Sequence, residues 1–399
     1  MRVLHVNKFL YRRGGAEGYL FDVARLQERA GDEVAFFGMA HADNEPGLTY
    51  AEHFPARVDL EPPPPGVRGR VEAAARMIWS TSARRGLSDT IAAFKPDVVH
   101  MHNVYHQLSP SVVAACRAAG VPVVMTLHDY KLACPSYQML DKGRPCDACV
   151  TGGPLQAARR SCKDGSRSAS TLLAVESWLH RRFRAWDGVG VLIAPSRFLA
   201  GVMNRAGVGA GRVRVLRHPV DVDHLRTKEK PGGGVVFAGR IAPEKGVDTL
   251  IEAAGIAGID VDIAGDGPAL STLPRTERAR FHGRLPKDEL HELIRSAAVV
   301  AVPSRWYENQ PLAVLEAFGC GVPVVGTNLG GLPELITSGV DGEVVPPDDP
   351  SSLASALQRT LQDLDVAHRM GRAGRTKVER HFSPADHLAG LRAAYEAAA

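Results

Sequence analysis

The chain has 399 residues, of which 45% are hydrophobic and 23% charged. These are the proportions of an ordinary folded protein, and they exclude disorder, a collagen repeat and a coiled coil. At about 150 residues per domain the length implies two or three domains, two being the simplest division. Formal net charge is only +4 at pH 7, but cutting after Arg217 leaves 29 Lys+Arg against 19 Asp+Glu before the cut and 19 against 25 after it. The N-terminal half is therefore expected to meet something anionic, unless its arginines are simply a solvated spread; a nucleic acid is not expected.

In chain order, short β-branched apolar runs alternate with helical patterns. They are Arg2 to Val6, Asp97 to Met101, Val121 to Thr126 and Val191 to Ala194, then after Arg217 Val235 to Ala238, Val261 to Ala264, Val299 to Pro303 and Val322 to Gly326. This order predicts α/β architecture, with two doubly wound Rossmann-like domains facing a central cleft. The expected N-terminal domain is 1–217 and the expected C-terminal domain 218–382. An Ala-rich helix over 383–399 would pack back on the first domain. His218-Pro219-Val220-Asp221 and Lys228 to Gly234 are the expected linker, by their Pro, Gly and charge content. Ligands of open parallel sheets bind beyond the carboxyl ends of the strands, so the chemistry is expected in the cleft. No apolar run approaches the ~20 residues of a membrane span, and Met1 to Leu10 lacks signal-peptide features, so a cytoplasmic location is expected.

Several strand ends carry chemistry-bearing residues. Gly14-Gly15-Ala16-Glu17 opens a helix after the first strand and allows close backbone approach to a phosphate or sugar. His100 and His102 share a strand face, where they would bind metal or, as the favoured reading, pack and line an acceptor pocket. His128-Asp129 follow the strand ending at Thr126; His128 is either structural or a hydrogen-bond donor to a sugar or leaving-group oxygen. Cys134, Cys146, Cys149 and Cys162 fall within 29 residues with spacing x11, x2 and x12. A structural zinc, a disulfide and free thiols all remain open for them. Cys116 and Cys320 read as packing residues.

Arg240 and Lys245 flank the turn before a helix starting at about Val247. They are either an exposed pair or a diphosphate site in which Arg240 presents a planar fork and Lys245 a compact charge. Glu308 lies in the loop after the strand ending at Pro303, and Glu316 in a helix with Pro311 at its first position. With the amides of Gln310, Leu312 and Ala313 they suit a polyhydroxy ligand, although surface helix acids are the plainer reading. Gly265-Asp266-Gly267 lacks the third glycine of a dinucleotide fingerprint. No Gly-x-x-x-x-Gly-Lys-Ser/Thr or Gly-x-Ser-x-Gly occurs, which removes the main support for dehydrogenase, P-loop and nucleophile-elbow readings.

Arg240, Lys245, Gly265-Asp266-Gly267, the segment Pro303 to Glu316 and Gly321 to Glu334 together resemble the retaining GT-B glycosyltransferases of family four. Gly14 to Glu17, His100-Met101-His102-Asn103 and His128-Asp129 look like N-terminal signatures of the same family. The resemblance implies a hexosyltransferase using a nucleoside-diphosphate sugar. UDP would be the favoured nucleotide, UDP-GlcNAc or UDP-glucose a suitable donor, and a glycan, lipid-linked or small-aglycone hydroxyl the acceptor. It implies that Arg240 and Lys245 neutralise the leaving diphosphate, with Gly15 approaching from the other domain. Glu316 would hold the ribose, and Glu308 with Asn309, Gln310, Pro311, Leu312 and Gly265 the donor sugar. His128 would contact that sugar, and His102, Asn103 and Asp129 would lie on the acceptor side. Front-face displacement without a catalytic metal is the implied mechanism.

Many family members carry Glu-Gly-Phe/Tyr-Gly where this chain has Glu308-Asn309-Gln310-Pro311, so its sugar pocket is expected to differ. An epimerase or phosphorylase on the same fold, or a non-catalytic sugar-binding protein, are the competing readings. Arg68, Arg70, Arg76, Arg84 and Arg85 around Met77-Ile78-Trp79 suit peripheral contact with the inner face of an anionic membrane.

Overall fold

The computed structural model describes residues 1–60, 64–230 and 232–399. Its strands are β1 (Arg2–Val6), β2 (Glu33–Phe37), β3 (Val98–Met101), β4 (Val123–Thr126), β5 (Leu140–Asp141), β6 (Arg144–Pro145), β7 (Val191–Ala194), β8 (Val213–Val215), β9 (Val235–Ala238), β10 (Val261–Ala264), β11 (Ala279–Gly283), β12 (Val299–Val302), β13 (Val324–Thr327) and β14 (Gly342–Val345). Two six-stranded parallel sheets result, ordered β2-β1-β3-β4-β7-β8 and β11-β10-β9-β12-β13-β14, while β5 and β6 form a small antiparallel hairpin. Strand order reverses beside β1 in one sheet and beside β9 in the other, and each reversal opens a crevice at the carboxyl ends of the strands.

The eight apolar runs read from the sequence are the four central strands of each sheet. The four edge strands, β2, β8, β11 and β14, are additional. Central parallel strands are covered on both faces and so become continuous apolar runs. An edge such as Val213–Val215 is half exposed and carries Arg214 in its middle.

Each lobe has its own core. Leu4, Val6, Val99, Met101, Met125 and Ala194 fill one face of the first sheet. On the opposite face, Val3, Val98, Val124 and Ile193 are covered by Leu391, Ala394 and Tyr395 of the C-terminal helix Pro384–Glu396. The chain therefore crosses between lobes twice. The two crossings touch where the Val220 amide donates to the Phe382 carbonyl at 2.9 Å.

The expected linker needs one correction. His218 to Asp221 does cross between the lobes, but the following stretch belongs to the second lobe. Lys228 is buried there, its ammonium on the Ala297 carbonyl at 2.9 Å, and the Gly233 amide donates to the Ser296 carbonyl at 2.9 Å. Pro231, within that stretch, lies outside the described residues. High Pro, Gly and charge content marks a turn, and here the turn docks rather than links.

Candidate active site between the lobes

On the second lobe, β9 runs into Arg240 and a single turn, Pro243–Lys245, before the helix Val247–Ala257. Gly246 makes the bend with φ +67°, and a Cβ there would lie 2.1 Å from the Pro303 carbonyl oxygen. That close approach clamps the cationic turn onto the loop leaving β12, where the Arg305 amide donates to the Glu244 carbonyl at 2.8 Å. As a result the Lys245 ammonium reaches Glu308 Oε1 at 2.7 Å and lies 5.1 Å from the centre of the Trp306 ring. Glu308 is buried and also accepts from the Ser304 hydroxyl at 2.5 Å. Burial alone would raise its carboxyl, but the charge and hydrogen bond of Lys245 and the hydroxyl of Ser304 hold it below the usual carboxylate range.

Arg240 pairs with buried Glu244 while its side chain stays largely exposed. With Lys245 on Glu308, each of the two cations is balanced by an acid. Glu316 is half-buried in the helix Leu312–Gly319, 3.7 Å from His291 Nε2. Pro311 is the N-cap of this helix rather than its first residue. No acceptor among the described residues faces the amides of Leu312 and Ala313, which point outward from the positive helix end. Gly265 is required by packing. Its φ is +147° and a Cβ would sit 1.8 Å from the Gly239 carbonyl oxygen, so it brings the ends of β9 and β10 together.

Asn309 and Gln310 have side-chain roles that the sequence did not reveal. The Asn309 amide donates to the His128 carbonyl at 2.9 Å, and its own Oδ1 is buried without a partner among the described residues. The Gln310 side chain accepts from the His218 amide at 2.9 Å and donates to the His218 carbonyl at 3.0 Å. The loop after Glu308 is thus fastened to the crossing segment and to the first lobe. Two further bridges do the same: Tyr130 OH to the Tyr307 carbonyl at 2.9 Å, and the Glu334 carboxylate receiving the Arg197 and Phe198 amides at 2.9 and 2.6 Å. Gly15 begins the helix Gly15–Arg29, and a Cβ on it would lie 3.9 Å from Leu312 Cδ1. The two lobes therefore meet where the diphosphate is expected.

The first lobe contributes histidines. Register pairs His5 of β1 with His100 of β3, and the two-residue period puts His102 on the same face. The ligand atoms of these three lie within 4.8 Å of one another, but all six ring nitrogens already have partners. His5 Nε2 meets Gln27 Oε1 at 2.7 Å and His5 Nδ1 meets His102 Nε2 at 3.0 Å. His102 Nδ1 meets His128 Nε2 at 3.1 Å. His100 bonds Tyr395 OH at 2.8 Å and Thr126 Oγ1 at 2.7 Å. These rings build a hydrogen-bonded chain.

The proton positions in that chain follow from its far end. Gln27 donates its amide nitrogen to Tyr395 OH at 2.8 Å, so its oxygen accepts from His5 Nε2. A neutral His5 then accepts at Nδ1 from His102 Nε2. His102 in turn accepts at Nδ1 from His128 Nε2, which leaves His128 Nδ1 with a lone pair. Burial keeps the rings neutral: it lowers His5 to about 4 and His128 to about 3 and pulls His102 well down. His5, Gln27 and Tyr395 were not singled out in the sequence. A histidine within the apolar run of β1 was the available signal.

Asp129 accepts from Tyr105 OH at 2.8 Å and from the Lys131 amide at 2.9 Å, and burial raises its carboxyl. Asn103 Oδ1, on the expected acceptor side, is a buried acceptor without a partner among the described residues. Arg76 turns inward to the Ala56 and Gln107 carbonyls and Met77 is buried, so neither belongs to the exposed basic face expected around Trp79. No helix among the described residues is long and apolar enough to cross a membrane.

Residues 13–224 match the family model described as glycosyltransferase family 4, and residues 232–363 match glycosyl transferases group 1. The chain is 28% identical over 309 residues to glycogen synthase of Mycobacterium tuberculosis, covering 73% of this chain and 67% of that one. It is 28% identical over 331 residues to 2-deoxystreptamine N-acetyl-D-glucosaminyltransferase of Streptomyces fradiae, covering 76% and 73%. Over 393 residues it is 28% identical to D-inositol 3-phosphate glycosyltransferase of Salinispora tropica, covering 93% and 78%. Among solved structures, sucrose-phosphate synthase of Thermosynechococcus elongatus superposes with a TM-score of 0.71 at 18% identity, covering 99% and 98%. Anabaena HepE in complex with UDP superposes at 0.65 with 19% identity, covering 98% of each chain.

Proposed function

Since the chain belongs to glycosyltransferase family 4 and is a transferase enzyme of the GT-B fold, we propose that it moves a hexose or N-acetylhexosamine from a UDP-sugar to an acceptor hydroxyl with retention. The observation that carries this reading is the Lys245–Glu308 pair at 2.7 Å, set between the lobes beside the open amides of Leu312 and Ala313. A diphosphate entering there meets Arg240, Lys245 and the positive end of a helix, while Glu308 and Glu316 accept hydroxyl hydrogens. UDP-GlcNAc or UDP-glucose as donor is supported by the N-acetylglucosaminyltransferase relative and by the HepE complexes with UDP and UDP-glucose.

Retention by front-face displacement fits the occupied carboxylates. Glu308 is held by Lys245 and Ser304, and Asp129 by Tyr105 and Lys131, so neither is free to attack the sugar carbon. The departing phosphate oxygen takes the acceptor proton as the sugar–phosphate bond breaks. Lys245, Arg240 and the helix amides stabilise the growing negative charge without a catalytic metal. His128 Nδ1, bare and neutral, accepts from a donor-sugar hydroxyl.

An acceptor carried on an anionic membrane fits the outer face of the first lobe. Val67, Val71 and Trp79 are exposed there beside Arg68, Arg70, Arg84 and Arg85, and the adjoining helix Arg167–Arg182 adds Trp178, with Phe183 just beyond it. Co-sedimentation with vesicles should rise with anionic lipid and fall with salt; indifference to both removes this acceptor class. For the reaction, purified protein is given a panel of nucleoside-diphosphate sugars with and without acceptor hydroxyls. Acceptor-dependent release of UDP and an α-anomeric product resonance are expected. Product with inverted configuration, or binding of no nucleoside-diphosphate sugar, overturns the reading.

A further inference from the structure

The segment between β4 and the helix Arg167–Arg182 breaks the sheet–helix rhythm and has only short elements of its own. Its elements are the β5–β6 hairpin and the helices Ala148–Gly152 and Gln156–Arg160, each five residues long. The small apolar cluster there consists of Cys149, Ala157 and Ala174, with Ala158 and Cys162 against it. Tyr130, Leu132, Ala133, Met139 and Val150 join the main core of the first lobe, but the part around Cys149 and Cys162 has so small a core of its own that a cross-link or a metal would add much to its stability.

The segment places four cysteines around one small cavity of about 10 Å³, each from a different local element. Cys134 comes from the turn after Tyr130, Cys146 from the end of the hairpin, Cys149 from the first short helix and Cys162 from just beyond the second. Met139, Leu140 and Val150 complete the wall. None of the four is joined to another in a disulfide. The Cys146 amide donates to the Met139 carbonyl at 2.8 Å and the Cys134 amide to the Tyr130 carbonyl at 2.7 Å, so the backbone directs both thiols to the same place.

Two arginines lie near the cavity: Arg181 donates to the Leu132 and Ala133 carbonyls at 3.0 and 3.3 Å, and Arg160 pairs with Asp141 at 2.9 Å.

We propose that Cys134, Cys146, Cys149 and Cys162 bind one zinc ion as a tetrahedral four-thiolate site that staples this segment. Four thiolates on a divalent zinc leave two negative charges, which the nearby Arg181 guanidinium offsets in part. Zinc–sulfur bonds of about 2.3 Å set tetrahedral sulfurs about 3.8 Å apart. Among the described residues only His5, His100 and His102 already have three ligand atoms within 4.8 Å of one another. Binding therefore draws the sulfurs inward, through the short elements that carry them.

The staple would also bear on the cleft. Cys134 lies four residues after Tyr130, whose hydroxyl holds the Tyr307 carbonyl next to Glu308, and Asn309 holds the His128 carbonyl just before it. The zinc thus acts as a positioning element for the turn His128–Tyr130, remote from the reacting atoms.

The test is metal analysis of the purified full chain together with thiol counting, which is independent of whether the transferase reading stands. About one zinc per chain is expected, with these four thiols unreactive until a mercurial or strong chelator releases the metal. Cobalt exchanged into the site should show the visible bands of tetrahedral thiolate coordination. Cys162→Ser should lose the metal. Cys162→His, which can ligate zinc but cannot form a disulfide, should keep it with a shifted cobalt spectrum. Four freely alkylated thiols without metal, or an intact mass lower by two hydrogens per bridge, overturns the proposal. So does a Cys162→His protein that folds as the parent does yet binds neither zinc nor cobalt.

Discussion

Replacing Lys245 separates its catalytic and structural effects, because it is ion-paired to Glu308 and also placed to meet the diphosphate. Lys245→Met leaves the Glu308 carboxylate buried, with the Ser304 hydroxyl still donating to it but no cation beside it. Removing one partner of a buried pair costs about 3–5 kcal/mol, and the partial exposure of the Lys245 side chain, 21%, brings the expected loss to about 2–3 kcal/mol. Adding Glu308→Gln removes the uncompensated charge and should restore most of that stability. It should not restore turnover, because the cation facing the leaving diphosphate is still missing. A missing donor at a developing anion costs about 3–4 kcal/mol in barrier, and at least a tenfold loss of kcat is expected in both variants. Urea unfolding and acceptor-dependent UDP release, measured on the parent, the single variant and the double variant, supply both readouts. If turnover returned together with stability in the double variant, Lys245 would be a structural residue and the leaving-group assignment would be refuted.

Acid should destabilise the protein early. His5 and His387, lowered to about 4, and His128, lowered to about 3, titrate near 6.5 when unfolded, so below that pH the unfolded chain binds more protons. Their contribution is complete above about pH 6.5 and is lost as pH falls toward 4, about 2 kcal/mol per histidine by about pH 5. Unfolding free energies that stay flat from about pH 7 to about pH 5 would contradict the neutral histidine chain. Nitrogen NMR of the imidazoles should show His128 protonated at Nε2 and bare at Nδ1. His102→Leu should erase that preference and lower kcat with little change in donor KM; a parent protein protonated at Nδ1 disproves the relay. Gly246→Ala, forced to φ +67° with its Cβ 2.1 Å from the Pro303 carbonyl oxygen, should cost more than about 3 kcal/mol or abolish soluble expression. A variant as stable as the parent in thermal unfolding would mean that the cationic turn is not clamped there.

Local sequence sufficed where one covering environment acts on a whole element. The strands β1, β3, β4, β7, β9, β10, β12 and β13 are central and covered on both faces, so Val261–Ala264 or Val299–Val302 announces itself as a run. The loops at their carboxyl ends, bearing His128, Arg240, Lys245 and Glu308, follow from the same alternation. Edge strands such as Gly342–Val345 share their surface with water and keep no such pattern. The pairings that assemble the site span long separations: Lys245 with Glu308, Asn309 with His128, Gln310 with His218 and His100 with Tyr395. Hydropathy and spacing record what a residue is covered by, but not which distant residue covers it. The order of strands in the sheets and the return of the C-terminal helix to the first lobe decided those partners, and with them which ring nitrogen of His128 is left without a proton.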